Sequence, residues 1–101
     1  MGLFSKILGN NSESVKELLA KGAIIIDVRS VSEFSGGKIE GSKNFPLPID
    51  AKKEKQIMAF NKPVVFCCAS GGRSGQATSQ MKAQGLECEN GGGWMKLNGM
   101  I

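Results

Sequence analysis

The sequence predicts an α/β fold, a three-layer sandwich with a mainly parallel central sheet flanked by helices. Two apolar runs, AIIIDV at 23–28 and PVVFC at 63–67, are rich in β-branched residues and lack polar alternation, which suits strands buried on both faces. Helical patterns with their own start and stop signals separate these runs. A glycine-rich loop follows the second run directly, at the carboxyl end of a parallel strand, where such folds hold ligands. A length of 101 residues fits one domain, residues 1–101, with a modest core. Residues 1–10 are expected to be a loosely ordered leading segment.

Taken in order, Ser14 and Glu17 form a capping box that opens a first helix, with Val15, Leu18 and Leu19 as its apolar stripe and Gly22 as its stop. The first strand follows at 23–28. Ser30 and Glu33 form a second capping box, so a short helix comes next and ends at Gly36-Gly37. Residues 44–47 read as a short strand stopped by Pro46 and Pro48. Residues 50–60 read as an amphipathic helix capped by Asp50, with Ile57, Met58 and Phe60 inward. The second buried strand at 63–67 leads into a helix over 73–84, with Ala77, Met81 and Ala83 towards the core and Gly85 as stop. Residues 86–89 form a last strand, Gly91 to Gly93 a turn, and residues 94–100 a closing helical turn or two.

Composition narrows the function classes. No apolar stretch approaches the length of a membrane span, and the polar N-terminus fits neither a secretory signal nor a myristoylation pattern. A cytoplasmic, monomeric protein with no membrane partner is expected. Three cysteines, two of them adjacent, make a poor disulfide framework, so reduced thiols are expected. Without histidine or a C-x-x-C pair a metal site is not expected either. The net charge of +4 is concentrated at Lys52, Lys53, Lys55 and Lys62. Few aromatics accompany it and there is no recognition motif, so these lysines read as a solvated face and nucleic acid is not an expected partner. A mild positive field still favours small anionic substrates.

The chemistry points to "VVFCCASGGRSG", residues 64–75. A loop curling round a cysteine at a helix start presents successive backbone N–H groups to the sulfur. Gly71 and Gly72 can take the positive φ that such a cradle needs, and Arg73 adds a permanent charge. Together these lower a thiol pKa and make a nucleophile without a histidine base. Cys67 and Cys68 lie on opposite sides of the strand, since side chains alternate. The residues by themselves leave the choice between them open. Counted from Cys67, five residues precede Arg73, which is the spacing of the cysteine phosphatases. Counted from Cys68, four do.

Cys68-Ala69-Ser70-Gly71-Gly72-Arg73-Ser74 resembles the active-site loop of the single-domain rhodanese family. The segment "IIIDVRSVSEFSGGKIEGSKNFPL" is similar to that family's upstream signature through Asp27, Arg29, Glu33, Phe34, Gly41, Asn44 and Pro46. "ENGGGWMKL" is similar to its Gly-Gly-x-x-x-Trp-type close. Lys38 departs from the pattern, where the family commonly has histidine. The resemblance implies a rhodanese-like sandwich and a sulfurtransferase that needs no cofactor. It makes Cys68 the nucleophile, with a small anionic sulfur donor such as thiosulfate and a thiol or cyanide acceptor. Ala69, Ser70, Gly71, Gly72, Arg73 and Ser74 would form the substrate-binding loop, with Asp27, Arg29 and Glu33 in support. Arg73 either orients the donor's oxyanion end or anchors the loop through Asp27 or Glu33. Cys67, Cys88 and Trp94 are expected to be packing residues, and Arg29 has a smaller claim on the site mouth. Two other readings stand beside this one: a cysteine-dependent phosphatase or arsenate reductase, and a non-catalytic binding module.

Overall fold

The structure is a computed structural model that describes residues 12–101. The expectation for residues 1–10 lies outside the described residues. Helix α1 (Ser12–Ala20) leads into strand β1 (Ile24–Asp27), helix α2 (Val31–Ser35) and strand β2 (Lys43–Asn44). Helix α3 (Ala51–Ala59), strand β3 (Val64–Cys68), helix α4 (Gly72–Ala83), strand β4 (Cys88–Gly93) and helix α5 (Trp94–Asn98) complete the chain.

The four strands form one sheet in the order β2-β1-β3-β4, and every pairing is parallel. Central β3 is buried at every position, as its unbroken apolar run requires. Its side chains supply both faces. Val64, Phe66 and Cys68 pack with Ile26, Ile57, Ala77 and Met81 against α3 and α4. Val65 and Cys67 pack with Val15, Leu18 and Leu97 against α1 and α5. Each fully buried large side chain is worth roughly 1.5–3 kcal/mol of transfer free energy, so two thin cores share the stabilisation of a small domain.

The second capping box forms as the sequence indicates. Ser30 is the N-cap of α2, its side chain accepting the Glu33 N–H while the Glu33 carboxylate accepts the Ser30 N–H. Asp50 caps α3 by accepting from the Lys53 N–H at 2.9 Å.

Several boundaries differ from expectation. Helix α1 begins at Ser12, so Ser14 lies inside it and is not its cap. The strand expected over 44–47 is only Lys43–Asn44, because Pro46 and Pro48 have no N–H to extend the ladder. Met58 is exposed, as is Ala83; α3 turns Ile57 inward, and α4 turns Ser74, Ala77, Thr78 and Met81. Phe60 packs against the core edge, with Phe45 in edge-to-face contact. Lys53 is not part of a solvated face, since its ammonium donates to the Pro46 and Pro48 carbonyls. Lys52, Lys55 and Lys62 are exposed.

The largest difference is at the glycines. Gly91, Gly92 and Gly93 are not a turn but the end of β4. A bulge falls there, because Phe66 pairs with Asn90 and Cys67 with Gly92, leaving Gly91 over.

Candidate active site

The site lies at the carboxyl end of the sheet, where β3 gives way to α4. Cys68 is the last residue of β3, not the first of the loop, and is 1% exposed. Three residues later Gly71 is the N-cap of α4, at φ 108°, a left-handed conformation that a side chain would strain. Gly71 has no side chain with which to cap the helix, and the Cys68 sulfur performs that task. Sγ accepts from the Gly71 N–H at 3.0 Å and from the Ser74 N–H, the third position of the helix, at 3.3 Å. The Ser74 hydroxyl lies 3.3 Å from the same sulfur. Ala69 and Ser70 are exposed at the rim of this cradle, and Gly72 beside them.

The three thiols diverge accordingly. Burial opposes ionisation of Cys68, but the Ser74 hydroxyl and the N–H groups of Ser74, Gly71 and Ser70 outweigh it and bring its pKa below the ordinary 9.0. Cys67 faces the other core and is pushed up to about 12, by burial first and then by the Asp27 charge. Cys88 is pushed up to about 11 by burial. Among the described residues no cluster of histidine, cysteine and carboxylate side chains could hold a metal ion.

Arg73 reaches across to α2. Its guanidinium makes a two-pronged bond to Glu33, Nη1 to Oε1 at 2.8 Å and Nη2 to Oε2 at 3.0 Å. Of the two carboxylates that could have anchored the loop, Glu33 is therefore the one engaged. The Arg73 bonds, and the Ser30 N–H after them, hold the Glu33 carboxyl down at about 2. Asp27 and Arg29 form a separate, buried pair, Nη2 to Oδ2 at 2.7 Å. The remaining Arg29 donors go to the carbonyls of Glu33 and Gly37, and its guanidinium lies over Trp94 at 4.9 Å. Arg29 thus ties β1, α2 and α5 together and is not brought to the sulfur, against its smaller claim on the site mouth. Asn44 fastens the same corner by donating to the carbonyls of Asp27 and Arg29 at 3.0 Å each.

The loop rests on the glycine end of β4. A Cβ on Gly93 would stand 2.8 Å from the Ala69 carbonyl oxygen, and one on Gly91 2.7 Å from Val65. A Cβ on Gly71 would lie 3.3 Å from the Gly92 Cα. The cradle can close round Cys68 because the strand beneath it has no side chains there.

Asn90 is the residue that sequence reasoning missed. From β4 it donates to the Gly71 carbonyl at 3.0 Å and accepts from the Ser74 hydroxyl at 2.7 Å. The available signal was alternation: Asn90 stands two residues beyond buried Cys88, on the same face, and a polar group facing inward needs partners.

The family model described as "Rhodanese-like domain" matches residues 11–97. The chain belongs to the rhodanese-like domain family. The "Uncharacterized protein YqhL" of Bacillus subtilis (strain 168) is 40% identical over 81 residues, covering 78% of this chain and 64% of that protein. The chain thus spans less than two thirds of that relative. Among solved structures, SSP1007 from Staphylococcus saprophyticus is similar with a TM-score of 0.66 and 27% identity, over 82% of this chain and 88% of that one. A rhodanese-like domain protein from Staphylococcus aureus is similar with a TM-score of 0.58 and 26% identity, over 86% and 84%. This rhodanese-like domain is an α/β fold on a parallel sheet, with no helix among its described residues long and apolar enough to cross a membrane.

Proposed function

We propose that this rhodanese-like domain is a sulfurtransferase that carries a sulfane sulfur as a persulfide on Cys68. The observation that supports it is the divergence of the thiols: Cys68 is lowered by a cradle of donors, while Cys67 and Cys88 are raised. In the first half-reaction the Cys68 thiolate attacks the outer sulfur of thiosulfate. A new S–S bond forms, the old one breaks, and sulfite leaves with the electron pair. In the second, an acceptor thiolate or cyanide attacks the outer sulfur of the persulfide, and Cys68 departs as thiolate. The N–H groups that already hold Sγ, from Gly71 and Ser74, stabilise negative charge in both halves. Arg73, engaged by Glu33, acts chiefly as anchor of the loop.

The phosphatase reading needs Cys67 as nucleophile to gain its longer loop. A fully buried thiol on the opposite face, held near 12, does not favour it. A binding module without turnover would leave Cys68 inert.

Mass spectrometry of the protein after incubation with thiosulfate tests the proposal. The expected result is a gain of one sulfur atom, lost in Cys68→Ser and kept in Cys67→Ser. A gain that survives in Cys68→Ser would move the chemistry to another thiol, and no gain in the unaltered protein would favour the binding module.

A further inference from the structure

Asn90 joins three parts of the site, and its amide can sit only one way round. Nδ2 donates to the Gly71 carbonyl at 3.0 Å, and Oδ1 accepts from the Gly92 N–H at 2.9 Å. A flipped amide would set donor against donor and acceptor against acceptor. The atom facing Ser74 is therefore an acceptor, and the Ser74 hydroxyl must donate to it, at 2.7 Å. A serine hydroxyl has one proton. While that proton lies on Asn90, the same Oγ can only accept from Cys68 Sγ, 3.3 Å away. This suits a thiol, whose S–H can donate to Oγ. It does not suit a thiolate, which can only accept.

Ionisation of Cys68 thus sets sulfur and Asn90 in competition for one hydroxyl proton. The S–H proton leaves to solvent. The hydroxyl then turns, giving up its bond to Oδ1 and making one to Sγ. We propose that Asn90 is a positioning residue for the Cys68 thiolate: it holds the Ser74 hydroxyl proton while Cys68 is a thiol and yields it when the thiolate forms, and so limits the thiolate fraction of the resting site. The competition belongs to the resting site, and only its consequence for turnover rests on the sulfurtransferase reading. The charged groups on the surrounding elements are already paired: Arg73 of α4 with Glu33 of α2, Asp27 of β1 with Arg29, and Lys82 of α4 with Glu89 of β4. Lys96 of α5 is exposed, and the neighbouring Cys67 and Cys88 remain neutral thiols through the physiological range.

The test is the rate of Cys68 alkylation by iodoacetamide against pH, read by mass on the Cys68 peptide. In Asn90→Ala the hydroxyl is free to serve the thiolate. The midpoint is expected at lower pH, with alkylation about threefold faster on the acid side, the effect of one weak hydrogen bond less the lower nucleophilicity of a more acidic thiol. In Ser74→Ala the midpoint moves to higher pH. The double variant Asn90→Ala/Ser74→Ala is expected to match Ser74→Ala alone, since without the hydroxyl there is nothing to compete for. If Asn90 merely braces the loop, its loss loosens the Gly71 and Ser74 N–H bonds to sulfur. The midpoint then rises, and it does so whether or not Ser74 is present; that result would overturn the proposal. Should Asn90→Ala fail to fold, the unaltered protein answers. Its Asn90 side-chain amide resonances should shift with the alkylation midpoint, and resonances that stay flat through it overturn the proposal equally. Persulfide formation enters neither measurement, so failure of the sulfurtransferase reading would be seen separately.

Discussion

At the scale of single residues, one carboxylate serves two helices. Glu33 Oε1 accepts from the Ser30 N–H to close the capping box of α2, and the same oxygen accepts from Arg73 at the start of α4. Both partners are partly exposed, and an exposed ion pair adds little to stability at neutral pH. Its contribution is positional: it sets α4, and with it the Ser74 N–H, against Cys68. The linkage has a definite sign. The folded-state carboxyl sits at about 2 against an ordinary 4.5. Between these values the unfolded chain binds more protons, so the contribution is present above the upper value and lost as pH falls towards the lower. Thermal unfolding from pH 5 to pH 2 should fall more steeply for the unaltered protein than for Glu33→Gln. Glutamine retains the capping-box acceptor while removing the charge, so a slope identical in the two proteins would show that Arg73 does not hold Glu33 down. Much at this scale was legible. The opposite orientation of Cys67 and Cys68 followed from strand alternation, and a bond from Arg73 to Asp27 or Glu33 was one of two arrangements the residues allowed. The choice of Glu33 over Asp27 was not legible, because it depends on Asp27 being consumed by Arg29 across the end of β1.

At the scale of elements, the end of β4 departs furthest from what its residues suggest. Three successive glycines have no strand propensity, and a turn is the natural reading. They form a strand because β3 supplies an edge to pair with, and because the loop above and Leu97 beside them leave no room for a side chain. Gly93→Ala should cost about 1–3 kcal/mol, the usual penalty of overpacking, and should also slow Cys68 alkylation as the Ala69 carbonyl is pushed from its place. Thermal unfolding and alkylation rates measure the two effects. A fully stable Gly93→Ala with an unaltered rate would show that the close approach of loop and strand is not needed. The Ser14 pattern misled for a related reason. Serine and glutamate three apart also occur inside helices, and only the path of the chain decides which match marks a start.

At the scale of the whole molecule, a thin sandwich divides its thiols between two environments. Cys67 lies in the core shared with α1 and α5, Cys88 in the core under α3 and α4, and both are held as neutral thiols. Their folded-state values are about 12 and about 11, against an ordinary 9.0 in the unfolded chain. From pH 9 upwards the folded protein therefore keeps protons that the unfolded chain releases. Stability is full below pH 9 and declines as pH rises through the folded values. Chemical denaturation between pH 8 and pH 11 should show this decline, and Cys67→Ala/Cys88→Ala should show less of it. An equal decline in both proteins would place its origin elsewhere.

The sequence by itself determined the α/β class, the parallel sheet, the α2 and α3 caps and the loop in which the chemistry is sought. These follow from local patterns: β-branched runs, capping pairs and glycines whose meaning spans a few residues. Tertiary structure decided which carboxylate meets Arg73, that the glycine run is a strand, that Arg29 bonds Asp27 and lies over Trp94, and that Asn90 bonds Gly71 and Ser74. Each depends on residues far apart in the chain competing for the same hydrogen bonds or the same space. Asn90 meets Ser74 because β4 pairs beside β3 with Asn90 opposite Phe66, a contact that neither segment specifies alone.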